Sequence, residues 1–260
     1  MTKWLKTLFS LNSLKKALGS ELFYNATKFN FHVEISEEIH VKKALVLAPH
    51  PDDDCFGCGG TIKKITESGA EVTVAYFFDG SGGVKTGEAK RNNELVSIRK
   101  KEAKSAADIL GVKQQLFFGY KDGTSGPGVA AIRALRDLIK RVEPDIIFVP
   151  SFLDNHPDHR TVNEILVKAL VKIEVVSEIW AYEVWTPILA NRIMLINAEL
   201  DAKQQSIKAH ESQLASRGYE KAVLGLNQYR AEINGEKGLA EAFFASTPEI
   251  YIDFYKKTLN

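Results

Sequence analysis

The chain has 260 residues, 45% of them hydrophobic and 26% charged, which are ordinary proportions for a globular protein with a substantial core. A formal net charge of +1 gives no electrostatic reason to expect nucleic acid as a partner, and two cysteines, Cys55 and Cys58, are too few for a disulfide framework. The cysteine usage fits a reducing compartment, no apolar run reaches the ~18–20 residues that span a bilayer, and a cytoplasmic setting is expected.

Residues 1–20 read as an amphipathic amino-terminal helix preceding one α/β domain over residues 21–260. Trp4, Leu5, Leu8, Leu11 and Leu18 recur at near-helical spacing, with Lys3, Lys6, Lys15 and Lys16 between them. Ser10, Asn12 and Ser13 interrupt the apolar run, which argues against a signal peptide. The stripe is expected to pack on the body of the protein or on a neighbouring subunit. Basic residues beside Trp and Phe would also suit the inner face of an anionic membrane.

Apolar and polar residues alternate over 29–35, as in a half-buried strand. A continuous apolar run over 43–48 predicts a strand covered on both faces. Then follow a glycine-rich turn at 57–60, a helix over 61–68 ended by Gly69, a strand over 72–78 and a loop over 79–87. A long helix over 88–110 ends at Gly111, and a short strand over 115–118 leads to a turn at 119–123. A helix over 129–142, a strand over 146–149, a helix over 161–173 and a strand over 178–184 come next. The remainder offers a strand over 192–197, a helix over 198–216 and a polar tail. Strands alternating with helices imply right-handed crossovers and a Rossmann-like, doubly wound, mostly parallel sheet with helices on both faces. Ligands bind such sheets beyond the carboxyl ends of the strands.

Two polar clusters emerge at predicted strand ends. Pro49-His50-Pro51-Asp52-Asp53-Asp54 follows the apolar run 44–48, and His156-Pro157-Asp158-His159 follows 146–149. One imidazole and three carboxylates at the end of a buried strand are costly without a bound positive charge. A catalytic zinc takes about three nitrogen and oxygen ligands and leaves room for water. His50, one of the Asp52/Asp53 pair and His159 would supply such a set, and the carboxylate left over would act as general base. His156 with Asp158 suits the pair that stabilises an oxyanion and protonates a leaving amine. These are the parts of an amide hydrolase.

The two motifs resemble those of the PIG-L/LmbE-like family of zinc-dependent N-acetylglucosaminyl deacetylases, marked by His-Pro-Asp-Asp-Glu and a later His-x-Asp-His. The likeness runs from about residue 43 to residue 243. It includes Gly57-Cys58-Gly59-Gly60, Arg99 and Glu102, the turn 119–123, Tyr182-Glu183-Val184-Trp185, Ser212-Gln213 and Ala240-Glu241-Ala242-Phe243. The resemblance implies that His50, Asp53 and His159 bind Zn2+, that Asp52 is the base, and that His156 is oxyanion stabiliser and acid, tuned by Asp158. It implies that Arg99 and Asp122 contact the sugar or its neighbouring group. Asp54 departs from the pattern, because the family usually has glutamate there. The implied function is removal of an N-acetyl group from an N-acetylglucosamine-type sugar or glycoconjugate, a small-molecule substrate.

Other readings of the same residues remain at this stage. His50, Asp52 and His159 also fit the two-histidine, one-carboxylate triad of a non-haem iron(II) oxygenase, and the proposed ligands would accept Fe2+ in place of zinc. A non-catalytic carbohydrate-binding member of the fold is a third. Cys55 and Cys58 have redox-motif spacing, but small packed thiols are expected there. The glycines of 82–87 are spaced as in a phosphate loop, yet Glu88 stands where the lysine belongs. His210 is expected on a polar helix face.

Overall fold

The computed structural model describes residues 32–83, 89–124, 128–171, 173, 178–215 and 218–259. The helix expected over 1–20 and most of the loop 82–87 lie outside them. The strands are β1 (Glu34–Ser36), β2 (Lys43–Ala48), β3 (Glu71–Phe78), β4 (Gln114–Tyr120), β5 (Ile146–Pro150), β6 (Glu178–Tyr182), β7 (Arg192–Leu195) and β8 (Ala240–Ser246). They form one sheet in the order β1-β7-β8-β6-β5-β2-β3-β4. Every neighbouring pair is parallel except those made by β8, which runs against β6 and β7. The mostly parallel α/β architecture read from the sequence is the one observed.

The helices are α1 (Asp53–Glu67), α2 (Ala89–Leu110), α3 (Gly128–Val142), α4 (Pro157–Leu170), α5 (Leu200–Lys208), α6 (Glu211–Leu214), α7 (Tyr219–Glu232) and α8 (Pro248–Leu259). Along β2 the side chains alternate between two cores, as a period of two requires. Ala44, Val46 and Ala48 face a core shared with Ala103, Leu110 and Ile207, whereas Leu45 and Leu47 face one shared with Leu135, Ile165 and Tyr251. The sheet is therefore covered on both sides. Chain order reverses between β2, followed by β3 and β4 on one side, and β5, followed by β6 on the other. That makes the β2/β5 boundary the switch point where such sheets bind ligands.

Three expectations are corrected. The glycine-rich segment 57–60 is not a turn: α1 runs through it, interrupted at Cys58, whose φ of −142° and ψ of 23° are not helical. Its glycines answer to packing. A Cβ on Gly57 would stand 2.1 Å from the Tyr182 ring, and one on Gly60 would stand 2.7 Å from Ile196. The kink frees the amides of Gly60 and Thr61, which donate to the Glu241 carboxylate at 2.8 and 2.7 Å. Buried Lys203 pairs with that carboxylate and with the Phe56 carbonyl. The second correction concerns the chain after residue 216, which is no polar tail: it supplies α7, α8 and an internal strand, β8. A buried glutamate within Ala-Glu-Ala-Phe disguised that strand. The third is the helix expected over 198–216, which is two helices, α5 and α6, separated near His210.

Candidate active site

The site lies between the amino termini of α1 and α4, where the chain leaves β2 and β5. Carboxylates in the first turn of a helix are favoured by its dipole, and both helices begin with them: Asp53 and Asp54 in α1, and Asp158 in α4. His156 caps α4, with Pro157 at the first helical position. Its Nδ1 accepts a hydrogen bond from the Asp158 amide at 3.2 Å.

Asp53 Oδ2 is the hub. It accepts the His50 amide at 2.8 Å and stands 3.2 Å from both His50 Nδ1 and His159 Nε2. Two ligand atoms of a tetrahedral site with bonds of ~2.1 Å stand ~3.4 Å apart, close to this spacing. Both ring nitrogens of His159 are buried and lack an aligned hydrogen-bond partner. Only carboxylates approach this fully buried imidazole, Asp53 at 3.2 Å and Asp154 at 3.4 Å, and two imidazoles sharing one carboxylate are a donor set that fits a divalent cation. The nitrogens of His50, His156 and His159 also lie within 4.8 Å of one another, as do donor atoms of His50, Asp122 and Asp158.

The charges of the cluster shift one another's protonation. Burial by itself would lower the pKa of His50, but the Asp158 and Asp53 carboxylates outweigh it and raise the value to about 10. Burial is likewise overcome at His159, raised to about 9 by Asp53 and Asp154. Burial would raise Asp53, yet the two histidines hold it well below the usual carboxylate range. His156, half-buried, is pushed down by burial and by its two imidazole neighbours.

The remaining candidates are placed as follows. The Asp158 carboxylate faces His50 Nε2 at 3.1 Å and the Gly123 amide, while its backbone amide is what reaches His156. Asp52 pairs with Arg99, Oδ2 to Nη2 at 2.9 Å, so the carboxylate that joins His50 to His159 is Asp53 rather than Asp52. An oxygenase triad through Asp52 is therefore not assembled. Arg99 also donates to the Gly80 carbonyl, and Asp122 accepts from the amides of Gly80 and Gly82 at 2.8 and 2.7 Å. Both hold the Gly80–Gly82 turn against the site. Gly80 has a φ of +75°, and a Cβ there would meet the Arg99 guanidinium at 2.6 Å. Asp54 points away from the cluster: the Tyr76 hydroxyl donates to it at 2.9 Å, and burial lifts its pKa to about 7. Cys55 and Cys58 are fully buried free thiols whose pKa values burial drives up, which suppresses the reactive thiolate.

Sequence reading missed two residues. Asp154 accepts the His156 amide at 2.8 Å and the Trp185 amide at 3.0 Å, and lies 3.4 Å from His159 Nδ1, the place of a carboxylate that orients a metal-binding histidine. Its position two residues before His156 is the mark of an Asx turn and was available in the sequence. His210 is not on a polar face: it is fully buried against Phe56, its ring nitrogens unpartnered.

Residues 45–170 match the family described as PIG-L: GlcNAc-PI de-N-acetylase. The chain is 40% identical over 124 residues to the diacetylchitobiose deacetylase of Thermococcus kodakarensis, an alignment covering 46% of each protein. The chain thus spans less than half the length of that relative. It is 28% identical over 200 residues to the "Probable N-acetyl-alpha-D-glucosaminyl L-malate deacetylase 2" of Bacillus anthracis, covering 70% of this chain and 85% of the relative. The solved N,N'-diacetylchitobiose deacetylase from Pyrococcus horikoshii superimposes with a TM-score of 0.73 at 26% identity, over 89% of this chain and 94% of that one. No helix among the described residues is long and apolar enough to cross a membrane.

Proposed function

This chain belongs to the PIG-L/LmbE-like family through residues 45–170, and from that membership we propose that it is a metal-dependent hydrolase removing an N-acetyl group from an N-acetylglucosamine-type sugar or glycoconjugate. The observation that carries the reading is the convergence of His50 and His159 on the single Asp53 oxygen, at 3.2 Å each, at the mouth of the sheet.

His50, Asp53 and His159 would hold the cation, zinc by preference for two imidazoles and a carboxylate. Bound there, it would lower the pKa of a water molecule toward ~7 and polarise the substrate carbonyl. Asp52 accepts the proton of the attacking water, and Arg99 holds that carboxylate in place at 2.9 Å. His156 works through Nε2. Its Nδ1 already accepts the Asp158 amide, so the neutral ring carries its proton on Nε2 and can donate to the developing oxyanion. Asp158 orients His50 and caps the turn at Gly123. Collapse of the tetrahedral adduct, with a proton delivered to nitrogen, releases acetate and the free amino sugar.

The test is acetate release from a panel of N-acetylglucosamine conjugates by protein of measured metal content, with and without chelator. Chelator-sensitive release is the expected result; a fully metallated protein inert on every N-acetylated sugar would overturn the proposal.

A further inference from the structure

A cavity of about 310 Å3 lies between the segment after β6 and helix α7. Its wall is mainly apolar, built by Phe56, Val184, Trp185, Tyr219, Val223 and Leu226. Trp185 is 41% exposed, and its ring meets Tyr219 edge-on at 5.4 Å. Within this wall stands Asn227, only 5% exposed, whose Oδ1 has no hydrogen-bond partner. That oxygen is itself shielded from solvent, so the accessible lining presents mainly apolar side chains.

The cavity is braced as a built site. Arg230 of α7 pairs with buried Glu183 through Nε at 3.1 Å and through Nη2. The same two side chains engage the Ile188 amide and carbonyl at 2.7 Å each. The segment 183–188 is thereby fastened to the helix opposite it. The Trp185 amide also donates to Asp154, the carboxylate beside His156 and His159. Phe56 follows Asp53 by three residues on α1. One wall of the cavity is thus continuous with the catalytic centre, while none of its lining takes part in the deacetylation chemistry. Pockets lined by apolar and aromatic side chains with a few fixed polar groups are the usual form of a small-molecule site.

We propose that this cavity binds an apolar group of the substrate, alkyl or aryl. The inference rests on the amino-sugar reading above. Such a group has two sources: an aglycone on the anomeric oxygen, or an acyl chain longer than acetyl.

Binding separates this idea from the reaction. Titration calorimetry of the metal-loaded full chain with β-D-glucosides from methyl to octyl, kept below micelle formation, uses ligands with no amide. Affinity should climb about fourfold per methylene until the cavity is filled. Ala222→Trp, which places an indole in the cavity, should flatten the climb. Kinetics then identify the source: kcat/KM rising along alkyl N-acetylglucosaminides assigns the aglycone, and rising along N-acyl glucosamines assigns the acyl group. Affinity independent of chain length in the unmodified protein would overturn the proposal even if acetate is released. A climb that persists in folded Ala222→Trp would also overturn it. Chain-length-dependent binding by a protein that hydrolyses no amide would keep the cavity and remove the deacetylase reading instead.

Discussion

Arg99 reaches across from α2 to place Nη2 2.9 Å from Asp52 Oδ2, so the carboxylate proposed as base is held by a charge delivered from 47 positions along the chain. Asp52→Asn keeps an acceptor for that guanidinium and removes the proton acceptor. It should cut kcat by ~10²–10⁴-fold, the usual contribution of a general base, with metal content unchanged. Intact turnover would remove Asp52 from the role. Arg99→Gln leaves the buried carboxylate without its counter-charge, which typically costs about 3–5 kcal/mol; a lower Tm together with a lower kcat is expected.

The metal set can be read from stoichiometry. Asp53→Asn and His159→Ala should each lose bound metal, measured by mass spectrometry of the purified protein. His156→Ala should retain it while losing turnover. Loss of metal in His156→Ala would instead point to the three-imidazole group, whose nitrogens also lie within 4.8 Å of one another.

Protonation makes the metal-stripped protein sensitive to alkali. Folded His50 and His159 have pKa values of about 10 and about 9, above the 6.5 of an unfolded histidine. Their contribution to stability is therefore complete below pH ~6.5 and lost as pH rises through 9 to 10. The Tm of chelator-treated protein should fall across that interval. Because ligating imidazoles must be deprotonated, metal affinity should tighten with pH over the same interval. A flat Tm profile for the stripped protein would contradict the arrangement.

Gly57 is required by Tyr182. An added Cβ would lie 2.1 Å from that fully buried ring, whose hydroxyl donates to the Leu47 carbonyl. Gly57→Ala should destabilise the protein by ~1–3 kcal/mol, as overpacked cores do. Thermal denaturation would show a Tm several degrees lower, and an unchanged Tm would mean that the ring moves freely.

Much of the fold was legible because its signals are local. The apolar run of β2 and the alternation of strands with helices determined a doubly wound sheet, and that sheet dictates where ligands bind. The strands before His50 and His156 place both polar clusters on one rim. What failed were segments whose pattern answers to distant partners. Helix α1 passes through Gly57 and Gly60 because Tyr182 and Ile196 occupy the space their side chains would need. Strand β8 carries a charge inward because Glu241 satisfies the kinked amides of α1 and pairs with Lys203.

By itself, the sequence determined the residue types of the candidate site and the sheet that presents them, since strand ends and helix starts are set by neighbours in the chain. Only the tertiary structure decided which carboxylate meets which base. Asp52 and Asp53 are adjacent and chemically identical, yet one turns to Arg99 and the other to His50 and His159. Asp158 sends its carboxylate to His50 and only its amide to His156. Such choices depend on the direction in which each side chain leaves a helix terminus and on what lies across the β2/β5 boundary, more than a hundred residues away for His50 and Asp158.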